Sequence, residues 1–286
     1  MSIRERVTDA FTQAGVTGCL HVTDLDGPGE VAVRADTPVC LASVFKLPLL
    51  VAFHNSGLDP AARVTLRPED RSGGPTGVGA MRDEVTMSLR DLAYLAIAVS
   101  DNAAADALLD RVGIEALNAL LTRLGLTETV VRHRAGDFAA TMAADAGGPD
   151  PALLADPAVL ARLRVLDPAR TNRSTAREMT RLLGLVWHDE VPGGPEIRRA
   201  LGLQVWPHRL SSGFPFDDVR VSGKTGTLPT IRNEVGVVEY PDGGRYAVAV
   251  FTRAASTAFA LPAADAVIGT TARLAVDHLR ARHADG

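Results

Sequence analysis

Lysine is nearly missing from this chain. Of its 30 basic residues 28 are arginine, and the two lysines are Lys46 and Lys224. Cysteine is as scarce: Cys19 and Cys40 lack metal-site spacing and read as two buried thiols of a reducing compartment. Positive charge is not in surplus. With 34 acidic residues and a net charge of −4, nothing points to nucleic acid or an anionic membrane as partner. No stretch reaches the ~18 apolar residues of a membrane span. The opening MSIRERVTDAFTQAGV carries Arg4, Glu5, Arg6 and Asp9 where a signal peptide has its apolar core. These absences set an expectation: a cytoplasmic protein with no metal and no cofactor, and with neither nucleic acid nor membrane as partner. Internal repeats are lacking too, and oligomeric state leaves no trace in the sequence.

What is present reads as a globular chain. Hydrophobic residues make up 46% and charged residues 22%, enough for one full core or two joined ones. Residues 3–14 read as an amphipathic helix. GCLHVTDL and GEVAVRAD alternate like two strands about a DGPG turn. From Ser43 to about His188 the pattern turns helical, as in LRDLAYLAIAVSDNAAADALLDRV and GIEALNALLTRLG. Residues 134–173, rich in Gly, Pro, Asp and Ala, read as irregular. Strand character returns in DVRVSGKTGT, NEVGVVEY and RYAVAVFTR, the last two joined by the hairpin signal PDGG. AADAVIGTTARLAVDHLRARH closes the chain as a helix. The expected fold class is α/β: an antiparallel sheet flanked by the N- and C-terminal helices, plus an inserted all-helical lobe. Residues 1–42 and 195–286 would form a discontinuous α/β domain and residues 43–194 a helical one, with the active site in the cleft between them.

Both lysines fall in unusual surroundings. LASVFKLPLL, residues 41–50, wraps Lys46 in apolar residues, although burying an ammonium is costly unless it is paired or neutralised. Ser43 precedes it by three residues at a predicted helix start. That spacing puts both side chains on one face and aims the Ser43 N–H at a ligand. A serine nucleophile needs a base, and a lysine buried among Leu41, Phe45, Leu47 and Leu49 can lose its proton and become one. Arginine cannot. Pro48 is tolerable so near the helix start. Ser100-Asp101-Asn102 follows an apolar helix and by itself reads as a cap for NAAADALLDRV. VSGKTGT, residues 221–227, ends a strand with Lys224, Thr225 and Gly226. These offer charge and a donor to a carboxylate, and a glycine for close approach of a substrate backbone.

Ser43-x-x-Lys46, Ser100-Asp101-Asn102 and Lys224-Thr225-Gly226, in this order, resemble the motif set of the class A β-lactamases and their penicillin-binding relatives. SVFKLPLLVAF, STAREMTRLL and RLSSGFPFDDVRVSGKTGTLPTIRNEVGVVEYPDGG extend the likeness over most of the chain. The resemblance implies that Ser43 attacks a carbonyl and becomes acylated, with Lys46 as base and Ser100 relaying a proton to the leaving nitrogen. It implies that Asn102 bonds a substrate amide and that Lys224 and Thr225 bind its carboxylate, Lys224 also raising the field around Ser100. The backbone N–H groups of Ser43 and Thr227 would form the oxyanion hole. Arg232 or Arg220 would back the carboxylate site or lie at the surface, and Asp101 would be structural. The partner is then a small-molecule substrate bearing a carboxylate or amide.

One residue of the family pattern is absent. Class A enzymes carry a glutamate, in a Glu-x-x-Leu-Asn context, that activates the water releasing the acyl group. Here no glutamate lies between Glu128 and Glu178. Asp137 is nearest the expected place, one methylene shorter, and is either a candidate for that role or a solvated loop aspartate. Three functions follow, a hydrolase first, a transacylase as the alternative and a sensor last, since nothing in the chain resembles a transducing domain. A hydrolase on a β-lactam or related amide or ester would deacylate through Asp137 or Lys46. A transacylase would pass the acyl group to an amine or alcohol in small-molecule biosynthesis. A sensor would keep it.

Overall fold

Ser2 accepts the N–H of Glu5, and the Glu5 carboxylate accepts the Ser2 N–H, a closed capping box that starts α1 (Ile3–Gln13). The computed structural model describes residues 1–284. β1 (Val16–Asp24), β2 (Glu30–Val33) and the short β3 (Val39–Cys40) follow. A 3-10 turn, Ala42–Phe45, runs directly into α2 (Lys46–Asn55). β4 (Arg63–Leu66) and β5 (Val85–Ser88) pair before α3 (Leu89–Ala98), α4 (Asn102–Val112) and α5 (Ile114–Arg123). Next come α6 (Ala135–Ala146), α7 (Pro157–Leu160), β6 (Arg173–Ser174), α8 (Ala176–Trp187) and α9 (Gly194–Gly202). β7 (Arg220–Leu228), β8 (Ile231–Glu239), β9 (Arg245–Ala254) and α10 (Pro262–Ala284) complete the fold.

Five strands make one antiparallel sheet in the order β2-β1-β9-β8-β7, which leaves β7 at an edge. Alternation sorts its side chains between two faces. Leu20, Val22, Val248 and Val250 meet Val7 and Phe11 of α1 and Ile268 and Ala272 of α10. Val235, Ala249 and Phe251 face the other way, into a core shared with Met179 and Leu183 of α8 and with α2 to α5. Both faces are covered, so β8 and β9 read as nearly unbroken buried runs. Burial of side chains such as Phe11 and Leu20 contributes roughly 2 kcal/mol each, so packing more than propensity holds the layers together. The α/β architecture matches the expected one: an antiparallel sheet, terminal helices on one face and a helical region on the other.

Between residues 43 and 194 the chain is not wholly helical. The β4–β5 hairpin and a two-residue ladder of β3 with β6 interrupt it, and α8 lies on the sheet against β1, β8 and β9. Residues 134–173 are mostly helical, contrary to expectation. AGDFAATMAADA is rich in alanine, the strongest helix former, and Gly147 at φ 83° ends α6 in the left-handed region. Two of the region's aspartates are caps: Asp150 and Asp156 accept the N–H groups of Ala152 and Ala158. Cys19 and Cys40 are free and buried, and burial pushes the Cys40 thiol up to about 12.

Candidate active site

Ser43 sits in the 3-10 turn ahead of α2 and not in the helix itself. In such a turn residues three apart eclipse, so Ser43 and Lys46 share a face. Ala42 is at φ 49°, a left-handed conformation that a residue with a Cβ holds only under constraint. Asn233 of β8 supplies part of that constraint, its Nδ2 donating to Cys40 O at 2.9 Å and Leu41 O at 3.4 Å. Gly226 of β7 faces the same turn. A Cβ there would stand 2.6 Å from Leu41 O and 3.0 Å from Val44 Cγ2. The glycine expected to admit a substrate backbone is thus required for the nucleophile turn itself to come close. Ser43 is half-buried, and its hydroxyl makes no hydrogen bond among the described residues.

Lys46 is 1% exposed. Its Nζ donates to Ser100 O at 2.6 Å, Asn102 Oδ1 at 2.8 Å and Asp101 O at 3.2 Å, and lies 3.4 Å from Ser100 Oγ. Burial pushes this amine down to about 7, against the opposing charges of Asp101 and Asp106. Three close acceptors can use all the N–H groups of an ammonium, whereas a neutral amine keeps two and frees a lone pair. Lys224, fully buried, donates to Ser100 Oγ at 3.0 Å and to Thr225 O at 2.9 Å. Burial first, then the charge of Lys46, holds it well below the usual lysine range, while Glu234 acts the other way. The Ser100 hydroxyl therefore bridges both lysines of the chain.

Ser100 is itself held at φ 59°. Next to it Asp101 caps α4, its Oδ1 accepting the N–H groups of Ala103 at 3.0 Å and Ala104 at 3.3 Å. The same carboxylate accepts the Val78 N–H at 2.6 Å and the Gly79 N–H at 3.2 Å. This clamp fixes the turn on which Ser100 and Asn102 stand, the structural part expected of Asp101.

The free edge of β7 carries the remaining groups. Thr225 N–H turns away from β8 and donates to Gln204 Oε1 at 2.7 Å. Alternation along the antiparallel ladder puts the Thr227 N–H on the same open edge, where an oxyanion donor is expected. Thr225 is buried and Thr227 exposed. Arg209 was not singled out from the sequence. It donates to Thr227 Oγ1 at 2.8 Å and to Gly226 O and Asn233 O at 3.0 Å each. Arg232 is not a surface arginine: its Nε lies 3.4 Å from the Asp265 carboxylate. It is buried, and its guanidinium is committed to Leu228 O, Ile231 O and Phe259 O. Arg220 lies exposed at the start of β7. Gln204 and Glu234 were also missed: Gln204 Nε2 donates to Glu234 at 2.6 Å, and Leu210 N–H donates to the other carboxylate oxygen at 2.7 Å. Burial pushes Glu234 up to about 6. The one available signal was a polar Asn-Glu pair inside an otherwise apolar strand.

Asn102 opens on a neighbouring part of the cleft, lined by Ser72, Gly73, Arg134, Gly136 and Asp137. Asp137 is exposed in the first turn of α6, where its Oδ2 accepts the Arg134 N–H at 2.9 Å. It is a helix cap and not a loop residue. Asp106, buried beneath, accepts the Ala135 N–H at 2.6 Å, the Gly136 N–H at 2.9 Å and the Ser72 hydroxyl. No carboxylate among the described residues hydrogen-bonds the side chain of Lys46, Ser100 or Asn102. Among the described residues, too, no group of three or more His, Cys, Asp or Glu could hold a metal ion, and no helix is long and apolar enough to cross a membrane.

Comparison with known proteins agrees with the motifs. The family model described as the beta-lactamase enzyme family matches residues 2–279. The chain is similar to the beta-lactamase regulatory protein BlaB of Streptomyces cacaoi, at 32% identity over 305 residues covering 98% of both. Its fold is similar to a variant of PBP-A solved as an acyl-enzyme complex with penicillin G. That match has a TM-score of 0.78 at 20% identity and covers 98% of this chain and 96% of that one. It is similar also to a beta-lactamase from Sphaerobacter thermophilus, with a TM-score of 0.77 at 24% identity over 98% of this chain and 97% of that one.

Proposed function

The chain belongs to the beta-lactamase enzyme family, and on that premise we propose that Ser43 is acylated by a β-lactam or a related amide or ester and retains the acyl group. The Ser43 proton passes to neutral Lys46 as Oγ bonds to the carbonyl carbon. The oxyanion then faces the N–H groups of Ser43 and Thr227, donors typically worth about 3 to 4 kcal/mol each. The C–N bond breaks as the proton moves from Lys46 through Ser100 Oγ to the leaving nitrogen. Lys224, 3.0 Å from that hydroxyl, stabilises its developing negative charge. Asn102 gives its Oδ1 to Lys46 and leaves its Nδ2 largely free for a substrate amide. A substrate carboxylate would meet the hydroxyls of Thr225 and Thr227, with Lys224 and Arg209, the latter paired with Asp265 at 2.7 Å, behind them.

The observation that carries retention is the contrast between the two half-reactions. The acylation groups converge on Ser100, while the carboxylates around them hold backbone: Asp101 at the start of α4, Asp106 on Ala135 and Gly136, and Asp137 on Arg134 through one of its two oxygens. Among the described residues Lys46 is the base that hydrogen-bonds into this cluster, and no carboxylate does. The name of the Streptomyces relative, a regulatory protein, supports a role in which acylation matters more than turnover. The hydrolytic reading keeps one supporting observation, that Asp137 shares a cleft with Asn102. Incubation with a chromogenic β-lactam, followed by colour and by intact mass, separates the readings. A persistent adduct on Ser43 with colour stopping near one equivalent is expected. Steady turnover would replace this reading by hydrolysis, and release only on adding amines would replace it by transacylation.

A further inference from the structure

A second cleft, of about 610 Å³, opens between α2, α3 and α9, away from Ser43. Its floor is apolar: Leu50, Phe53, Ala93 and Ala200 are all buried. Its rim carries Arg90, Arg199, Tyr94 and His54. The side chain of neither arginine makes a hydrogen bond or ion pair among the described residues. Two carboxylates border the cleft. Both oppose an anion, but each stands in the first turn of a helix, Asp91 of α3, where it also accepts the Ser88 hydroxyl at 2.6 Å, and Glu196 of α9, so the helix starts offset part of their charge while the guanidiniums have no such offset. The His54 ring sits edge-on to Phe53 within the field of Glu196, and its nitrogens make no hydrogen bond among the described residues.

Clefts of this size and mixed lining hold small organic ligands. An apolar floor beneath two unpaired guanidiniums selects both shape and charge. We propose that this cleft binds a small anion with a flat apolar body, in chemical class an aromatic carboxylate. The three helices that line it all lead to the acylation centre. α2 begins with Lys46, α3 runs on through Val99 to Ser100, and α9 runs on to Gln204, which holds the Thr225 N–H. Along α2 the cleft residues lie only ~6 to 12 Å from Lys46, at about 1.5 Å per residue. An occupant ties these helices together and so alters the rate of Ser43 acylation. This consequence rests on the function proposed above, whereas the binding itself does not.

The test is calorimetric titration of the full chain with 2-naphthoate and, as neutral control, 2-naphthylmethanol. Saturable one-to-one binding of the carboxylate is expected, with the alcohol at least ~5-fold weaker. Arg90→Ala and Arg199→Ala should each weaken binding ~5-fold or more, and Glu196→Gln should strengthen it. Binding should persist unchanged in Ser43→Ala and in β-lactam-treated protein. The proposal is overturned by no saturation below ~1 mM, by equal affinity for the alcohol, or by indifference to both arginine variants. Loss of binding after β-lactam treatment would also overturn it, by placing the probe at Ser43. Saturating naphthoate should change the acylation rate constant at least ~3-fold. An unchanged rate with intact binding would refute the coupling and leave the site.

Discussion

If Lys46 is the base, acylation of Ser43 must follow its deprotonation. Burial brings this amine from 10.5 to about 7. At ~1.4 kcal/mol per pH unit, that displacement is worth about 5 kcal/mol. The neutral fraction is then ~10% near pH 6, about half near pH 7 and ~90% near pH 8. The acylation rate constant, measured by quenched-flow mass spectrometry in a single turnover, should rise ~10-fold from about pH 6 to about pH 8 and then level off. An ordinary lysine would give a rate still climbing ~10-fold per unit at about pH 9. Because Lys224 faces the same Ser100 hydroxyl, the midpoint belongs to the pair. Lys46→Arg keeps the charge and bulk but cannot shed its proton, so it should abolish acylation. Stability carries the same signature. The folded value lies below the unfolded one, so between about 7 and 10.5 the unfolded chain holds the extra proton and stability rises with pH. Below that window the full cost of burying the charge is present. Urea titrations should therefore show the unsubstituted protein gaining several kcal/mol on Lys46→Met as pH rises through the window. A rate independent of pH from about 6 to 9, or one still rising beyond, would refute the argument.

Gly226→Ala places a Cβ 2.6 Å from Leu41 O and must push the nucleophile turn off β7. Acylation should slow by ~10²-fold or more, the size of one lost oxyanion donor, and a normal rate would show that the close approach is unimportant. Asp101→Ala strands the N–H groups of Val78, Gly79, Ala103 and Ala104. Denaturant unfolding should register a loss of ~2 to 4 kcal/mol, and a cost under ~1 kcal/mol would contradict the clamp. Asp137→Asn should leave the lifetime of the acyl-enzyme within ~2-fold of the unsubstituted value, since the carboxylate acts as a cap. A lengthening of ~10-fold or more would make it the water-activating base.

Period and turn signals were enough to read the sheet and the terminal helices, because α1, β1, β2 and the β8–β9 hairpin are locally consistent. The region from 134 to 173 misled because Gly, Pro and Asp there punctuate short helices and were read as loop. β4 and β5 were lost between helical stretches, each strand being only four residues long. At the site, the rarity of lysine exposed Lys46 and Lys224, and the structure brings them together at Ser100. Asn233 and Glu234 left only the trace of a polar pair in an apolar strand, and Arg209 and Gln204 left none, because their partners lie on segments distant in sequence, which no spacing encodes. Twenty-eight arginines gave no hint which one would hydrogen-bond Thr227; Arg209 does so and was not among the candidates, Arg232 and Arg220.

The central claim is that Ser43 accepts an acyl group and keeps it. Its most direct test is the time course of intact mass after brief exposure to penicillin G and removal of the free ligand. One adduct, mapped to Ser43, absent from Ser43→Ala and decaying far more slowly than it forms, is the predicted result. An adduct that never forms, maps elsewhere, or is gone as hydrolysed product within the mixing time would contradict it.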